Sequence, residues 1–308
     1  MEINYLKNDQ INFVKWDNCI NNAHNGSIYA FSWYLDIICE NWEALVSKDY
    51  EFVMPILHKK RGNFHFTYND FLSRQLGVFS TQLLNEEVVN AFLLKLSSVY
   101  KLFTINLNKY NKVKKSLFAQ RIQQTYEFDL IWNYQTIQEN YSHEVQEAII
   151  QGKKHKISVI KNIRPNDFLE LTREKSVRVS YPVKKGDMER LRKIIAFVYR
   201  HGLGEIYAAY TSENELCAAC LFLKSNRKTN LIYSALTSTG EKHSAMHYLI
   251  DYYIKKHAEK ILTLNFENLN VADKKKFCEG FGAETFYYVN VFNDKLSLPQ
   301  KLLFRFLN

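Results

Sequence analysis

The stretch LTLNFENLNVADKKKFCEGFGAETFYYVNV, residues 262–291, decides how the chain is read. It opens within an apolar run, ILTLNF (261–266), of the length of a buried strand. A polar loop follows, then a short basic turn ending in FCEGFG. The stretch closes on YYVNV, aromatic and β-branched, which reads as a second strand. The chain has only 10 glycines, and two of them, Gly280 and Gly282, flank Phe281. That placement fits a helix C-cap and a tight return, with Phe281 anchored in the core. Glu267 stands at the end of the first strand, and strand ends at a parallel edge are where α/β sheets place ligands.

Upstream of this stretch the pattern is equally regular. IYAAYTSENELCAACLFLKSNRKTNLIYSAL gives three strands with turns at SEN and SNRK. The loop TSTGEK (237–242) follows, then a helix over 243–258 with Met246, Leu249, Ile250, Tyr253, Ile254 and Ala258 on one face. A helix over 187–200 precedes the strands. The first half repeats the order: a helix over 32–39, three strands from EALVSKDYEFVMPILHKKRGNFHFTY, a long loop, a helix over 85–99 and the strand LFTINL (102–107). A helix between the last two strands lets them run parallel by a right-handed crossover. Between the halves, Ile137, Tyr141, Val145 and Ile149 recur at helical spacing, so 136–151 is expected to be one helix with Gly152 as its C-cap. The expected organisation is therefore α/β (α+β, mixed sheets), with domains over 1–133 and 152–308 joined by a helix over 134–151.

Composition is that of a folded protein with a sizeable core, 46% hydrophobic and 15% aromatic over 308 residues. No apolar run suits a bilayer span, and the N-terminus lacks the pattern of a signal peptide. Five cysteines without framework spacing point to a reduced, cytoplasmic setting. The net charge of +9 is uneven: residues 1–150 carry 14 Lys/Arg against 16 Asp/Glu, and residues 151–308 carry 27 against 16. A half this basic suits a polyanion, with Lys153, Lys154, Lys156, Lys184, Lys185 and Lys274–Lys276 as its track; a solvated lysine-rich surface is the plainer explanation.

Three segments carry a family resemblance. They are KWDNCINNAHNGSIYAFSWYLDIIC, with Trp16 and the S-W-Y of 32–34; YEFDLIWNYQTIQENYSHEVQEAIIQGKKHKISVIK; and LNFENLNVADKKKFCEGFGAE. Together with the element order they resemble the FemAB-like (Fem-type) peptidyltransferases, built from two tandem domains of the acyl-CoA N-acyltransferase (GNAT) kind. The resemblance spans essentially the whole chain. It implies transfer of an acyl or aminoacyl group from acetyl-CoA, another acyl-CoA or an aminoacyl-tRNA onto a small-molecule or peptide amine, with tRNA a partner for the basic half. Such chemistry needs a neutral amine, donors for the oxyanion and a hold on the phosphates of the donor.

The resemblance also names residues. The GNAT phosphate loop, R/Q-x-x-G-x-G/A, falls on Thr237-Ser-Thr-Gly240-Glu-Lys242. Gly240 matches, Thr237 replaces Arg/Gln, and Lys242 replaces the last small residue. Ser234, Thr237, Gly240, Lys242 and His243 are the donor-site candidates implied. The plainer reading is a strand-to-helix turn capped by Thr239 or Ser238. Glu267 is the candidate base, neighbouring Asn265 and Asn268 are candidate donors to a carbonyl, and Lys242 is a further catalytic candidate; a surface carboxylate with no partner is the plainer reading of Glu267. Cys278 stands where the family has a tyrosine acid, and a thiol is a poorer proton donor there. In the first half, Tyr68, Phe71, Arg74 and Gln75 are implied to line an acceptor pocket. The alternative places Phe71 and Leu72 in the core and Arg74 in a surface pair.

Two other spacings read as structural. Cys217-Ala-Ala-Cys220 lies in a strand, where residues three apart face opposite sides. His243 and His247 lie four apart without a third ligand, and no metal site is expected. A catalytically degenerate GNAT fold that binds a nucleotide, peptide or RNA, and an RNA-binding protein using the basic half, remain as alternatives to a transferase.

Overall fold

A computed structural model describes residues 1–173, 178–181 and 185–301; Lys184 and the Lys185 side chain of the basic track lie outside the described residues. The chain forms two compact units, Met1–Gln124 with Tyr287–Asn308, and Thr125–Phe286.

The first unit runs β1 (Ile3–Leu6), α1 (Phe13–Asn22), α2 (Ser32–Ile38), β2 (Glu43–Ser47), β3 (Phe52–Ile56), β4 (His58–Arg61), β5 (Phe64–Thr67), β6 (Phe79–Ser80), α3 (Glu86–Val99) and β7 (Leu102–Asn106). The expected three-strand meander is in fact four strands shared between two sheets. One sheet has the order β1-β2-β3-β6; β4 and β5 join β7 in another. Burial explains the division. β3 is almost wholly buried, whereas β4 carries Lys59, Lys60 and Arg61 and forms a charged edge, which discourages further pairing. The crossover is as expected: α3 connects β5 to β7, and Phe66 pairs in parallel with Leu102. Asn85 caps α3 by accepting from Val88 N at 2.9 Å, with Glu86 and Glu87 in the first turn favouring the dipole. Leu45, Met54, Phe92, Leu96 and Phe103 form the core beneath it.

The second unit runs from β8 (Ala119–Asp129), which begins in the first, through α4 (Tyr134–Glu139), α5 (His143–Lys154), β9 (Ser158–Lys161), α6 (Pro165–Leu171), β10 (Arg178–Val179), α7 (Lys185–His201), β11 (Gly204–Tyr210), β12 (Leu216–Ser225), β13 (Lys228–Leu236), α8 (Ser238–Lys242), α9 (Ala245–His257), β14 (Thr263–Asn265) and α10 (Lys274–Gly280). The strand β15 (Glu284–Asp294) returns the chain to the first unit, where Asn290–Asp294 pair with β7. The sheet of the second unit has the order β8-β14-β13-β12-β11-β9, with β10 added along β13. Among the described residues of this unit, the parallel pair is β13 and β14, connected through α8 and α9.

Three glycines set how the helices pack. At the end of α10, Gly282 N donates to Glu279 O (2.9 Å) and Ala283 N to Cys278 O (3.0 Å), the paired bonds of a Schellman cap. Gly282 takes φ +86°, as that cap requires. Gly280 has a different task. A Cβ there would lie 2.8 Å from Val145 Cγ2, so its absence lets α10 approach α5. Phe281 is fully buried and meets Tyr141 edge-on at 5.0 Å. The single helix expected over 136–151 is two helices, because Asn140 ends α4 and Ser142 caps α5 through Val145 N. Gly152 is not a cap: it lies inside α5, where a Cβ would meet Tyr248 Cβ at 2.8 Å on α9. The loop expected over 237–242 is the short helix α8, capped by Thr237 rather than by Ser238 or Thr239.

Candidate functional site

The parallel ladder of the second unit is short. Only Lys228–Thr263, Thr229–Leu264 and Asn230–Asn265 are paired; beyond Asn230 the two strands part. The next carbonyls of β13 find other partners. Asn268 donates its backbone N–H to Leu231 O (3.3 Å) and its side-chain amide to Ile232 O (3.0 Å). Farther along, β10 takes the vacated edge, Val179 opposite Ala235 and Arg178 opposite Leu236. Ser180 completes the seam: its hydroxyl accepts from Ser234 N at 2.8 Å, lies 3.1 Å from the Ser234 hydroxyl and donates to Asn268 O. Asn270 donates its backbone N–H to Ser234 Oγ (3.1 Å) and its side-chain amide to Val179 O.

A cavity of about 230 Å³ opens at the carboxyl end of β13, on the side covered by α5, α9 and α10. Val145, Leu236, Met246, Val271 and Phe277 give it an apolar lining; Gly240 and Ser244 contribute backbone and a hydroxyl. His247 projects into it from α9 and packs on the Phe277 ring at 4.4 Å between centroids. Burial pushes its imidazole down to about 4, so it is neutral at pH 7. The rim is charged. Glu144 and Lys276 pair at 2.8 Å, and Glu241 pairs with Arg178 at 3.1 Å. A cavity of this kind suits an apolar group of a few carbons entering past a charged mouth.

A second, more polar cleft of about 470 Å³ lies on the other side of α8, lined by Asp167, Glu170, Glu215, Cys217 and Thr237–Thr239. The donor-site candidates are thus divided. Gly240 lines the first cavity and Thr237 the second. Lys242 is exposed. His243 stacks flat on His155 at 4.2 Å, and Ser234 is buried in the seam with Ser180. Glu267 is buried just past β14, and Lys274 Nζ donates to its backbone carbonyl. The Asn265 amide is engaged within the sheet, its oxygen accepting from Thr125 Oγ1 (2.8 Å) and its nitrogen 3.4 Å from Glu127 Oε1. Cys278 is fully buried, and burial pushes its thiol up to about 12. Cys217 and Cys220 are buried and free, donating to Ala209 O and contacting Met246 Sδ respectively.

In the first unit, Tyr68, Phe71, Arg74 and Gln75 share one loop, and the S-W-Y segment helps hold it. The Asp17 carboxylate accepts from Ser32 N (2.8 Å) and Ser32 Oγ (2.6 Å) at the start of α2, and Tyr34 donates to Leu72 O at 2.6 Å. Buried asparagines fix the rest: Asn25 donates to Val78 O (2.8 Å), Asn108 to Leu76 O (2.9 Å), and Asn111 Oδ1 accepts from Val78 N (2.7 Å). Lys59 Nζ sits 4.0 Å above the Tyr68 ring. Gln75 is buried and accepts from Lys109 N at 3.2 Å; Phe71 and Arg74 are half-buried.

Of the cavity lining, the sequence marks Gly240 as a site candidate. His247 enters it only with His243 as a spacing of metal-pair type, although its place one turn into the helix after the glycine loop is a signal. Phe277 and Val145 come from distant parts of the chain, so no local pattern joins them.

No family model and no curated protein sequence matches the chain. Solved structures do. FemX is similar with a TM-score of 0.62 at 14% identity, the match covering 100% of each chain. A conserved protein of unknown function from Bacteroides thetaiotaomicron follows at 0.54 and 10% identity, over 92% of this chain and 98% of that one. L-PGS from Bacillus licheniformis is similar at 0.51 and 11% identity, over 89% and 91%. Likeness at these identities speaks to fold, and function must come from the site. With its mixed sheets, its crossovers and these neighbours, the chain has a FemX-like fold.

Proposed function

We propose that the protein is an acyl- or aminoacyltransferase that moves the acyl group of a thioester or aminoacyl-tRNA onto an amine. The observation that carries this reading is the early parting of β13 and β14, with an apolar cavity at the carboxyl end of β13. The cavity suits the acyl portion of a donor, and the charged mouth its polar remainder. In this reading Glu267 takes the proton of the attacking amine and Lys242 contacts donor phosphates. A second reading, a binding protein that has lost catalysis, is favoured by one observation: Cys278 is too deeply buried and too weakly acidic to serve as the family's acid.

Thermal shift with acetyl-CoA, longer acyl-CoAs and aminoacyl-tRNA tests donor binding, since a ligand of the folded state raises Tm by mass action. Transfer from any stabilising donor to an amine panel is then followed by mass spectrometry. Glu267→Gln is expected to abolish transfer while keeping the donor shift. A donor shift without any transfer favours the second reading, and no shift with any donor overturns both donor assignments.

A further inference from the structure

At the amino ends of β13 and β14, away from the cavity, three loops of the second unit are tied together by main-chain bonds. Glu259 N donates to Trp132 O (3.1 Å), Lys260 N to Leu130 O (3.1 Å) and Thr263 N to Arg227 O (3.0 Å). From these loops stand three large apolar side chains, Ile131, Trp132 and Ile261, respectively 55%, 63% and 72% exposed. Single exposed apolar residues are ordinary; three on adjoining, hydrogen-bonded loop tips call for a partner. Exposed cations share this end: Lys255, Lys256, Lys260 and Arg227. Lys255 lies over the Tyr134 ring, 5.1 Å from its centroid. The exposed carboxylates of these loops are Glu259 and Asp129, the latter already accepting from Thr263 Oγ1 at 2.6 Å.

The chemistry favours one occupant. Side chains on projecting tips suit penetration of a soft layer better than flat packing against another protein. Tryptophan prefers the boundary between headgroups and acyl chains. Lysines beside it keep their ammonium groups at phosphate level while their stems lie on apolar surface, and an anionic leaflet attracts them. We propose that this end of the second unit docks on an anionic phospholipid bilayer, with Ile131, Trp132 and Ile261 entering the acyl boundary and Lys255, Lys256, Lys260 and Arg227 meeting headgroup phosphates. This inference is independent of the transferase reading and concerns a different end of the sheet.

The full chain is floated with phosphatidylcholine vesicles, with and without about one third phosphatidylglycerol, over a range of salt. Binding is expected only with phosphatidylglycerol, weakening as salt rises. I131S/W132S/I261S is expected to lose binding about tenfold or more, with Tm within a few degrees of the parent because the sites are exposed. K255E/K256E/K260E is expected to lose at least as much, at about fivefold per lysine removed. Failure of the parent chain to float with phosphatidylglycerol overturns the proposal, as does undiminished floating of the folded variants. If the serine variant instead abolishes self-association, or both variants abolish binding of a labelled single-stranded RNA that the parent prefers to vesicles, the patch serves a protein or an RNA and the proposal fails.

Discussion

Gly240 faces the carbonyl oxygen of Cys217 so closely that a Cβ at position 240 would lie 2.3 Å from it. The same oxygen accepts from Thr237 N at 2.9 Å, so the turn between β13 and α9 is docked on β12 through the main chain. A glycine in a phosphate loop would instead leave its open side to the ligand. Gly240→Ala is therefore expected to lower stability by about 1–3 kcal/mol, the usual cost of forcing an atom into packed structure. Urea denaturation measures it. An unchanged midpoint with weakened donor binding would show that the glycine serves a ligand.

Gly280 and Gly282 are predicted to fail differently on substitution. Gly282→Ala meets a left-handed backbone and is expected to cost about 1–2 kcal/mol. Gly280→Ala meets Val145 Cγ2 at 2.8 Å and Ser142 Oγ at 3.0 Å instead. Combining it with Val145→Ala should recover part of its loss, because the two sites share one contact. The same partner should not rescue Gly282→Ala. A double-mutant cycle in urea separates the two cases, and equal coupling at both positions would contradict the packing described.

These glycines show where the sequence was legible. Gly282 ends a helix in a local bonding pattern spanning a few residues, and spacing alone announced it. The role of Gly280 depends on Val145, more than a hundred residues earlier, and that contact exists only after folding. The crossovers were legible for the same local reason, since the faces of α3 and α9 repeat at helical spacing. The two-residue strand β10 has no periodicity to read, so the seam of Ser180, Ser234 and Asn268 stayed hidden. The split of β2–β5 between two sheets was likewise a tertiary outcome, decided by which strands the core buries. In the candidate site, Gly240 was found but its task was not, because Cys217 approaches it from another strand.

Acid is predicted to loosen the second unit through Glu205. Burial alone would raise its carboxyl, but His257, Lys161 and Lys224 outweigh it and hold the group well below the usual carboxylate range. The contacts are 3.4 Å to His257, 2.8 Å to Lys161 and 3.0 Å to Lys224. A carboxyl depressed by folding contributes stability that is present above its unfolded value of about 4.3 and is lost as pH falls through the folded value. The parent chain should thus lose stability below about pH 4 more steeply than Glu205→Gln. At pH 7 the variant should be weaker by about 1–2 kcal/mol, allowing for solvent screening of a partly exposed cluster. Parallel acid limbs in chemical denaturation would contradict the assignment.

His247 acts in a higher window. Its imidazole falls to about 4 in the folded chain from an ordinary value near 6.5, because the cavity wall excludes water. The unfolded chain therefore binds more protons between those values, and stability should rise with pH across that interval and level off above it. His247→Leu removes the titrating group and should flatten that part of the profile. The effect is bounded at about 3 kcal/mol by the size of the shift. Histidine NMR titration gives the direct check: one imidazole resonance should remain neutral down to about pH 5.

The cavity itself can be closed from its mouth. Ala272 lines it yet is exposed, so a larger side chain there has room to turn inward without displacing the core. Ala272→Trp is expected to leave Tm within a few degrees, as surface substitutions usually do, while abolishing transfer from donors whose acyl group needs the cavity. Donors with the smallest acyl groups should suffer least, because a tryptophan ring takes up most of a space of about 230 Å³. Rates measured over a series of acyl lengths distinguish this from general damage: a uniform loss means that the substitution disturbs the fold, whereas a loss that grows with chain length means that the acyl group lies against Leu236, Met246 and Phe277. Unchanged rates for every donor would place the acyl group elsewhere and leave the parting of β13 and β14 without its proposed occupant.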